Sequence, residues 1–260
     1  MLPRNRSVTT GLRALVLAGV AALALSACAV KPPLRVKSPD FSGMTRTESQ
    51  GALDQLATRY KSNSKDRVAI IYYAAALRAN GQSAQAVAVL ETGMMHFKGD
   101  PDIVVAYAKA LSAEGQFEQA LTVVDTAIRP EQPDWNALSV KGAILDQMGR
   151  SGEARVLYQQ AMTIAPGEAS LYANLGLSYA MTNELAAAEA QLRHAVQMSG
   201  STSQVRQNLA LVIGLQGRFE EARGLFALEL APDQVEANLA YIRAMLTQQN
   251  RWDLIEKGDG

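Results

Sequence analysis

Four glycines and an asparagine recur every 34 residues, at Gly81, Gly115, Gly149, Asn183 and Gly217. An alanine follows each by five positions, at Ala86, Ala120, Ala154, Ala188 and Ala222. A fixed period of this length means that the chain repeats one supersecondary unit, and such a unit buries its apolar face only by stacking on its neighbours. Glycine enters the left-handed conformation that ends a helix without steric cost, and asparagine is the next most tolerant residue. The register therefore marks five tight turns between helices. Alanine is common in this chain, so one match carries little weight. Five matches in step with five turn residues fix the register.

A 34-residue helix–turn–helix period is the tetratricopeptide repeat (TPR) pattern. With the turn residue at position 15, position 8 is Ala74, Ala108, Gly142, Gly176 and Ala210, small residues where the two helices of a hairpin cross. Position 20 is the alanine series, and position 24 is Leu90, Val124, Tyr158, Leu192 and Phe226, large residues that fill the space left by the small ones. Position 27 is Gly93, Ala127, Ala161, Ala195 and Glu229, so the last repeat departs from the pattern. Pro166 stands at position 32, where a proline is expected, and Pro101 and Pro133 take that place slightly later in their repeats. At the start, Ala52 lies 34 residues before Ala86 and shares a helical face with Leu53, Leu56 and Tyr60, which predicts a lone capping helix. After Pro232, Val235, Leu239, Ile242 and Leu246 predict a closing helix. Terminal elements of this kind cover the apolar face that an interior hairpin leaves open. The expected fold is all-α, a TPR solenoid of antiparallel helical hairpins with five full repeats and a capping half repeat at each end, about twelve helices in all.

Ahead of the array, Arg4, Arg6 and Arg13 precede an apolar stretch of twelve residues from Ala14 to Leu25. Spanning a bilayer takes about 20 residues, so the stretch reads as an export signal rather than a membrane span. It ends in Leu25-Ser26-Ala27-Cys28, similar to the bacterial lipobox, in which the cysteine is acylated and becomes the mature N-terminus. The alternative is an ordinary signal peptide with a chance cysteine at its end. Cys28 is the one cysteine in the chain, which favours lipidation over that alternative and rules out an intrachain disulfide. The expected organisation is a signal peptide over residues 1–27, a lipid-anchored tether over 28–45, the array over 46–250 and a tail over 251–260. The tether holds Pro32, Pro33, Pro39 and Gly43 with no apolar period, which predicts an extended segment without fixed structure. Removing residues 1–27 takes away three arginines and no acids, leaving 22 basic and 25 acidic residues.

The whole chain has no formal net charge, so no strong field points to nucleic acid as a partner. No nucleophile elbow, phosphate-cradling glycine loop or His-Glu-x-x-His motif is found, and the expectation is a protein that is not an enzyme and carries no cofactor or metal. The two histidines, His96 and His194, lie three repeats apart and are expected on the surface or between helices rather than on a shared metal. Glu220-Glu221 opens a helix, where acids favour the dipole, and is expected to be solvated.

Binding in such arrays uses the concave face, formed by positions 2, 5, 6, 9, 12 and 13 of the first helix of each hairpin. Position 6 is Asn174 and Asn208 in the last two repeats, and aligning the closing helix by its Asn-Leu-Ala sequence adds Asn238. A ladder of asparagines can hydrogen-bond the main chain of an extended peptide with both amide and carbonyl groups. The competing reading is that each asparagine bonds a neighbouring helix. Around the ladder stand Val105, Ala143, Ala173, Leu177, Leu211, Tyr241 and Met245, with Lys109 and Asp146 as the charges. The candidate peptide groove is thus Asn174, Leu177, Asn208, Leu211, Asn238 and Tyr241. No repeat has the lysine at position 5 and asparagine at position 9 that open the two-carboxylate clamp of chaperone-binding TPR domains. An apolar or amphipathic segment is therefore the expected ligand rather than an acidic C-terminal tail.

The lipobox, the short proline-containing tether and some five TPRs in 260 residues resemble the TadD-type TPR lipoproteins of the tight-adherence (Flp) pilus assembly machinery. The resemblance extends over most of the chain, including Val205 to Leu211 and Gly217 to Ala222. It implies a pilotin-like assembly factor that acts on an outer-membrane secretin or another pilus component. Type IV pilus pilotins share the layout, as do, more distantly, TPR lipoproteins that scaffold periplasmic peptidoglycan enzymes. Ala29 follows the cysteine in place of the aspartate that retains enteric lipoproteins in the inner membrane, so the resemblance implies a lipid anchor at the periplasmic face of the outer membrane.

Overall fold

Every turn residue of the 34-residue register adopts the left-handed conformation: φ is 72° at Gly81, 80° at Gly115, 75° at Gly149, 61° at Asn183 and 82° at Gly217. Asn183 is the one non-glycine residue with positive φ among the described residues. The computed structural model describes Val36 and residues 39–258, with residues 249–258 described by their backbone. These residues form twelve helices: α1 (Arg46–Ser62), α2 (Arg67–Ala79), α3 (Ser83–His96), α4 (Pro101–Ala113), α5 (Phe117–Asp125), α6 (Trp135–Gln147), α7 (Ser151–Ile164), α8 (Ala169–Met181), α9 (Leu185–Gln197), α10 (Ser203–Leu215), α11 (Phe219–Phe226) and α12 (Pro232–Gly258). The all-α solenoid of five hairpins between α1 and α12 is the architecture that the sequence predicts.

The five turns share one bonding scheme. Gly81 N–H donates to the Arg78 carbonyl at 3.0 Å and Gln82 N–H to the Leu77 carbonyl at 2.8 Å, which is a Schellman motif. The same pair of bonds recurs at Asn183, which donates to Ala180 at 3.0 Å while Glu184 donates to Tyr179 at 2.9 Å. The residue after each turn also opens the next helix. Its N–H is spent on the turn, and none of these five helices has a side-chain cap. In contrast α2, α4 and α6 open on Asp66, Asp100 and Asp134, whose carboxylates each accept two orphan N–H groups of the first turn. Pro101 occupies the first position of α4, where its missing N–H costs nothing.

Within each hairpin the small and large positions interlock. Ala86, Ala120, Ala154, Ala188 and Ala222 are fully buried, and Leu90, Val124, Tyr158, Leu192 and Phe226 are at most 2% exposed. A Cβ added at Gly176 would stand 2.8 Å from Leu192 Cγ, so glycine is what lets α8 and α9 approach. Apolar burial is distributed along the array, with one cluster from Leu53 to Ile144, another from Ala173 to Ile242 and smaller ones between them around Tyr158 and Leu171. That is the core of a quasi-one-dimensional protein. The ends are covered as expected. Leu53 is buried, Tyr60 stacks on Tyr73 at 5.2 Å between ring centroids, and Val235, Leu239 and Ile242 of α12 are buried against α10 and α11.

Two boundaries differ from expectation. α12 continues past residue 250 to Gly258, because no glycine or proline interrupts the chain between Pro232 and that residue. The described part of the segment before α1, expected as a tether free of the array, is extended but bonded to it: Val36 N–H donates to Asp102 at 2.9 Å, and Gln207 Nε2 donates to the Ser42 carbonyl at 2.9 Å. Val36 and Phe41 also pack against the first core cluster. No helix among the described residues is long and apolar enough to cross a membrane. Cys28 and the expected signal segment lie outside the described residues.

Candidate functional site

The helices α2, α4, α6, α8, α10 and α12 each pack on the next in the series, whereas the backbones of α3, α5, α7, α9 and α11 approach only the helices that flank them. Helices that sit close together line the inside of a curved array, so the first series forms the concave wall. The wall encloses a groove of about 760 Å³ against α2, α4, α6 and α8, with Gln204 of α10 at one edge. Its lining includes Arg78, Lys109, Asn136, Ser139, Ala143 and Asn174. All six stand at the concave positions that the register assigns.

The predicted groove residues fare differently. Asn174 lines the groove, and its Nδ2 donates to Ser139 Oγ of α6 at 2.9 Å, a bond between neighbouring helices. Asn208 is buried and accepts a bond from Gln204 Nε2 at 2.9 Å, within its own helix. Asn238 Nδ2 donates to the Gln234 carbonyl one turn earlier at 2.8 Å. The three asparagines therefore do not form one continuous ladder: each has a local partner, and only Asn174 borders the groove. Leu177 and Leu211 are half-buried, and Leu211 packs against the second core cluster. Tyr241 and Met245 are exposed on α12.

Of the two charges expected in the groove, one is there. Lys109 lines it, half-buried. Asp146 is withdrawn into the core, accepting bonds from Tyr158 Oη and Ser178 Oγ, both at 2.8 Å. The reason is chemical: a tyrosine buried at position 24 needs a partner for its hydroxyl, and Asp146 supplies it. Sequence reasoning missed Arg78, one residue from the end of α2. A cation in the last helical turn reads as a dipole partner facing solvent, and only the packing of α4 on α2 places it beside Lys109. Burial lowers the basicity of the Arg78 guanidinium. Burial pulls the Lys109 ammonium down to about 8, Arg78 adds repulsion, and Asp102 partly opposes both.

The described residues before α1 meet this wall at two places. They are bonded at Asp102 of α4 through Val36 and at Gln207 of α10 through Ser42. Asp40 approaches Thr202 and Gln204, so it borders the α10 edge of the groove. Elsewhere His194 packs edge-on against Tyr172 at 4.6 Å and His96 is exposed. Glu221 bridges Arg193 and Arg218, part of a surface network that joins the fourth and fifth repeats. Among the described residues no cluster of three His, Cys, Asp or Glu side chains could hold a metal ion.

Residues 51–144 match the tetratricopeptide repeat family. A comparison with curated proteins finds no match. Among solved structures, the chain is similar to a tetratricopeptide repeat protein from Parabacteroides merdae ATCC 43184, with 13% identity, a TM-score of 0.62, and 76% of this chain and 78% of that one covered. It is also similar to TTC0263, a thermophilic TPR protein of Thermus thermophilus, with 22% identity, a TM-score of 0.56, and 75% of this chain and 99% of that one covered. At these identities the likeness concerns the fold, which is that of a TPR solenoid.

Proposed function

We propose that the protein is a non-enzymatic, lipid-anchored TPR scaffold that assists Flp (Tad) pilus biogenesis, pilotin-like toward an outer-membrane secretin. The observation that carries the reading is the concave groove, walled by successive helices and lined by Asn136, Ser139, Ala143 and Asn174. Amide and hydroxyl groups beside an apolar floor suit the backbone and side chains of an extended segment. The lipobox-like run to Cys28 supports an anchor on the outer membrane, and the layout of lipobox, short linker and repeats supports the pilus assignment. Cys28 is the lipid attachment site in this reading. A single acyl chain binds membranes marginally while two or more anchor stably, so the multiply acylated cysteine of lipoproteins is the expected form.

Two experiments test it. Cells producing the parent should incorporate labelled fatty acid into the protein and retain it in the outer-membrane fraction, and Cys28→Ser should abolish both. Labelling that persists in Cys28→Ser contradicts the anchor. Affinity capture from membranes should recover a secretin with the parent and lose it with Leu177→Glu, which adds a charge about one turn beyond Asn174 on α8. Recovery of cell-wall hydrolases in place of a secretin contradicts the pilus reading.

A further inference from the structure

We infer that Arg78 and Lys109 form a subsite for an acidic side chain within the peptide that occupies the groove. The inference rests on the groove being a peptide site, as proposed above, and specifies the chemistry of its occupant.

The two cations come from successive wall helices, α2 and α4, and both line the groove. Both are half-buried, and among the described residues neither has an ion pair or a hydrogen bond. The chain pairs its other half-buried cations. Arg67, at the opposite end of α2 from Arg78, is held by Asp100 and Asp102, and Arg155 by Glu184, Ser178 and Thr182. Arg206 is held by Glu229 and Lys141 by Asp125. Removing two like charges from water side by side is unfavourable, and the depressed basicity of Lys109, only partly relieved by Asp102, is the trace of that cost. A carboxylate placed between the two groups would be bonded by both with charge-assisted hydrogen bonds and would reverse the repulsion. Charge left only partly compensated in a cleft is where a ligand most often supplies the compensation.

The rest of the lining selects a peptide over other anions. Asn136 and Gln147 present amide groups that match a peptide main chain in both donor and acceptor, and Asn174 and Gln204, whose Nδ2 and Nε2 already donate to Ser139 and Asn208, add amide oxygens. Two cations in a chain of zero formal net charge make no phosphate track for a nucleic acid. A concave wall does not seat on a flat bilayer. The pair stands at positions 12 and 9 of the first and second repeats, unlike the lysine and asparagine of the two-carboxylate clamp, which share one repeat. Absence of that clamp therefore leaves an acidic residue within an amphipathic segment fully compatible with this groove.

The test is selection of phage-displayed random decapeptides on the immobilised full chain, followed by fluorescence polarisation with the best peptide. The expected result is an excess of Asp or Glu at one position of the selected peptides. The double variant R78M/K109M should then bind that peptide about tenfold or more weakly, the peptide with its acid changed to the amide should weaken equally, and the two losses should not add. R78K/K109R should keep most of the affinity, and thermal melts should show R78M/K109M folded. Selected peptides without excess acid, or equal binding to parent and R78M/K109M, overturn the subsite. If such non-acidic peptides are nevertheless lost with Leu177→Glu, the peptide groove stands without the subsite. Failure to select any peptide overturns the groove reading and the subsite together.

Discussion

The ring of Tyr158 fills the space left by Gly142: a Cβ on Gly142 would stand 2.7 Å from Tyr158 Cε1. Helices α6 and α7 cross at this contact, so their separation is set by one glycine and one aromatic ring. Tyr158 Oη then reaches Asp146 on α6, closing the hairpin with a buried polar bond at 2.8 Å. The hairpin is specified by shape and by hydrogen bonding at the same place.

Gly142→Ala should therefore overpack the crossing and destabilise the fold by about 1–3 kcal/mol. Gly224→Ala, in α11 where an added Cβ meets nothing within 4 Å, should instead stabilise by about 0.5–1 kcal/mol through the helix preference for alanine. Melting temperatures of the two variants should move in opposite directions. Equal shifts would contradict the crossing geometry.

Asn183 offers a test of the turns. Its φ of 61° is tolerable for asparagine, free for glycine and costly for alanine. Asn183→Ala should lose about 1–2 kcal/mol, while Asn183→Gly should match or exceed the parent. Chemical denaturation of the three proteins would show the order.

Tyr158→Phe removes the hydroxyl from Asp146 and leaves the buried carboxylate with its bond from Ser178. The expected loss is about 1–3 kcal/mol, more than a ring of nearly unchanged shape would cost alone. Ser178→Ala in the same background should add less than its own single effect if the three groups act as one network.

Much of this was legible in the sequence because repeats constrain one another. The turn at Asn183 is recognisable only because four glycines set its register, and Ala154 is identified as a crossing point because four other alanines share its phase. The site was less legible because it depends on contacts between repeats rather than within one. Arg78 reads as a charge at the end of a helix until α4 brings Lys109 beside it. Asp146 reads as a groove charge until Tyr158 claims it, although a tyrosine at a core position was already a sign that an acceptor would be needed. The residues before α1 carry no periodic signal, so their bonds to Asp102 and Gln207 could not be foreseen.

Lys109 links the site to stability. Burial, with repulsion from Arg78 and partial relief from Asp102, holds its ammonium at about 8, below its ordinary value of 10.5. Between these two values the unfolded chain binds more protons than the folded one, so this group makes stability rise with pH across that window. At pH 7 the lysine is charged in both states and its burial is a net cost. Lys109→Met should stabilise the protein by roughly 1–2 kcal/mol there, a figure reduced for partial solvent exposure, and should flatten the rise between about pH 8 and 10.5. Denaturation at pH 7 and pH 10 for both proteins measures the difference.

We propose that the concave wall of an anchored TPR array holds a segment of an outer-membrane channel protein. The most direct measurement is photocrosslinking in living cells from a light-activated amino acid placed either at Ala143, which lines the groove, or at Gln159, exposed on α7. An adduct with a secretin should form from position 143 and not from position 159. A secretin adduct from both positions, or from 159 alone, would contradict the groove as the docking surface, and an adduct from 143 with proteins unrelated to the channel would contradict the function.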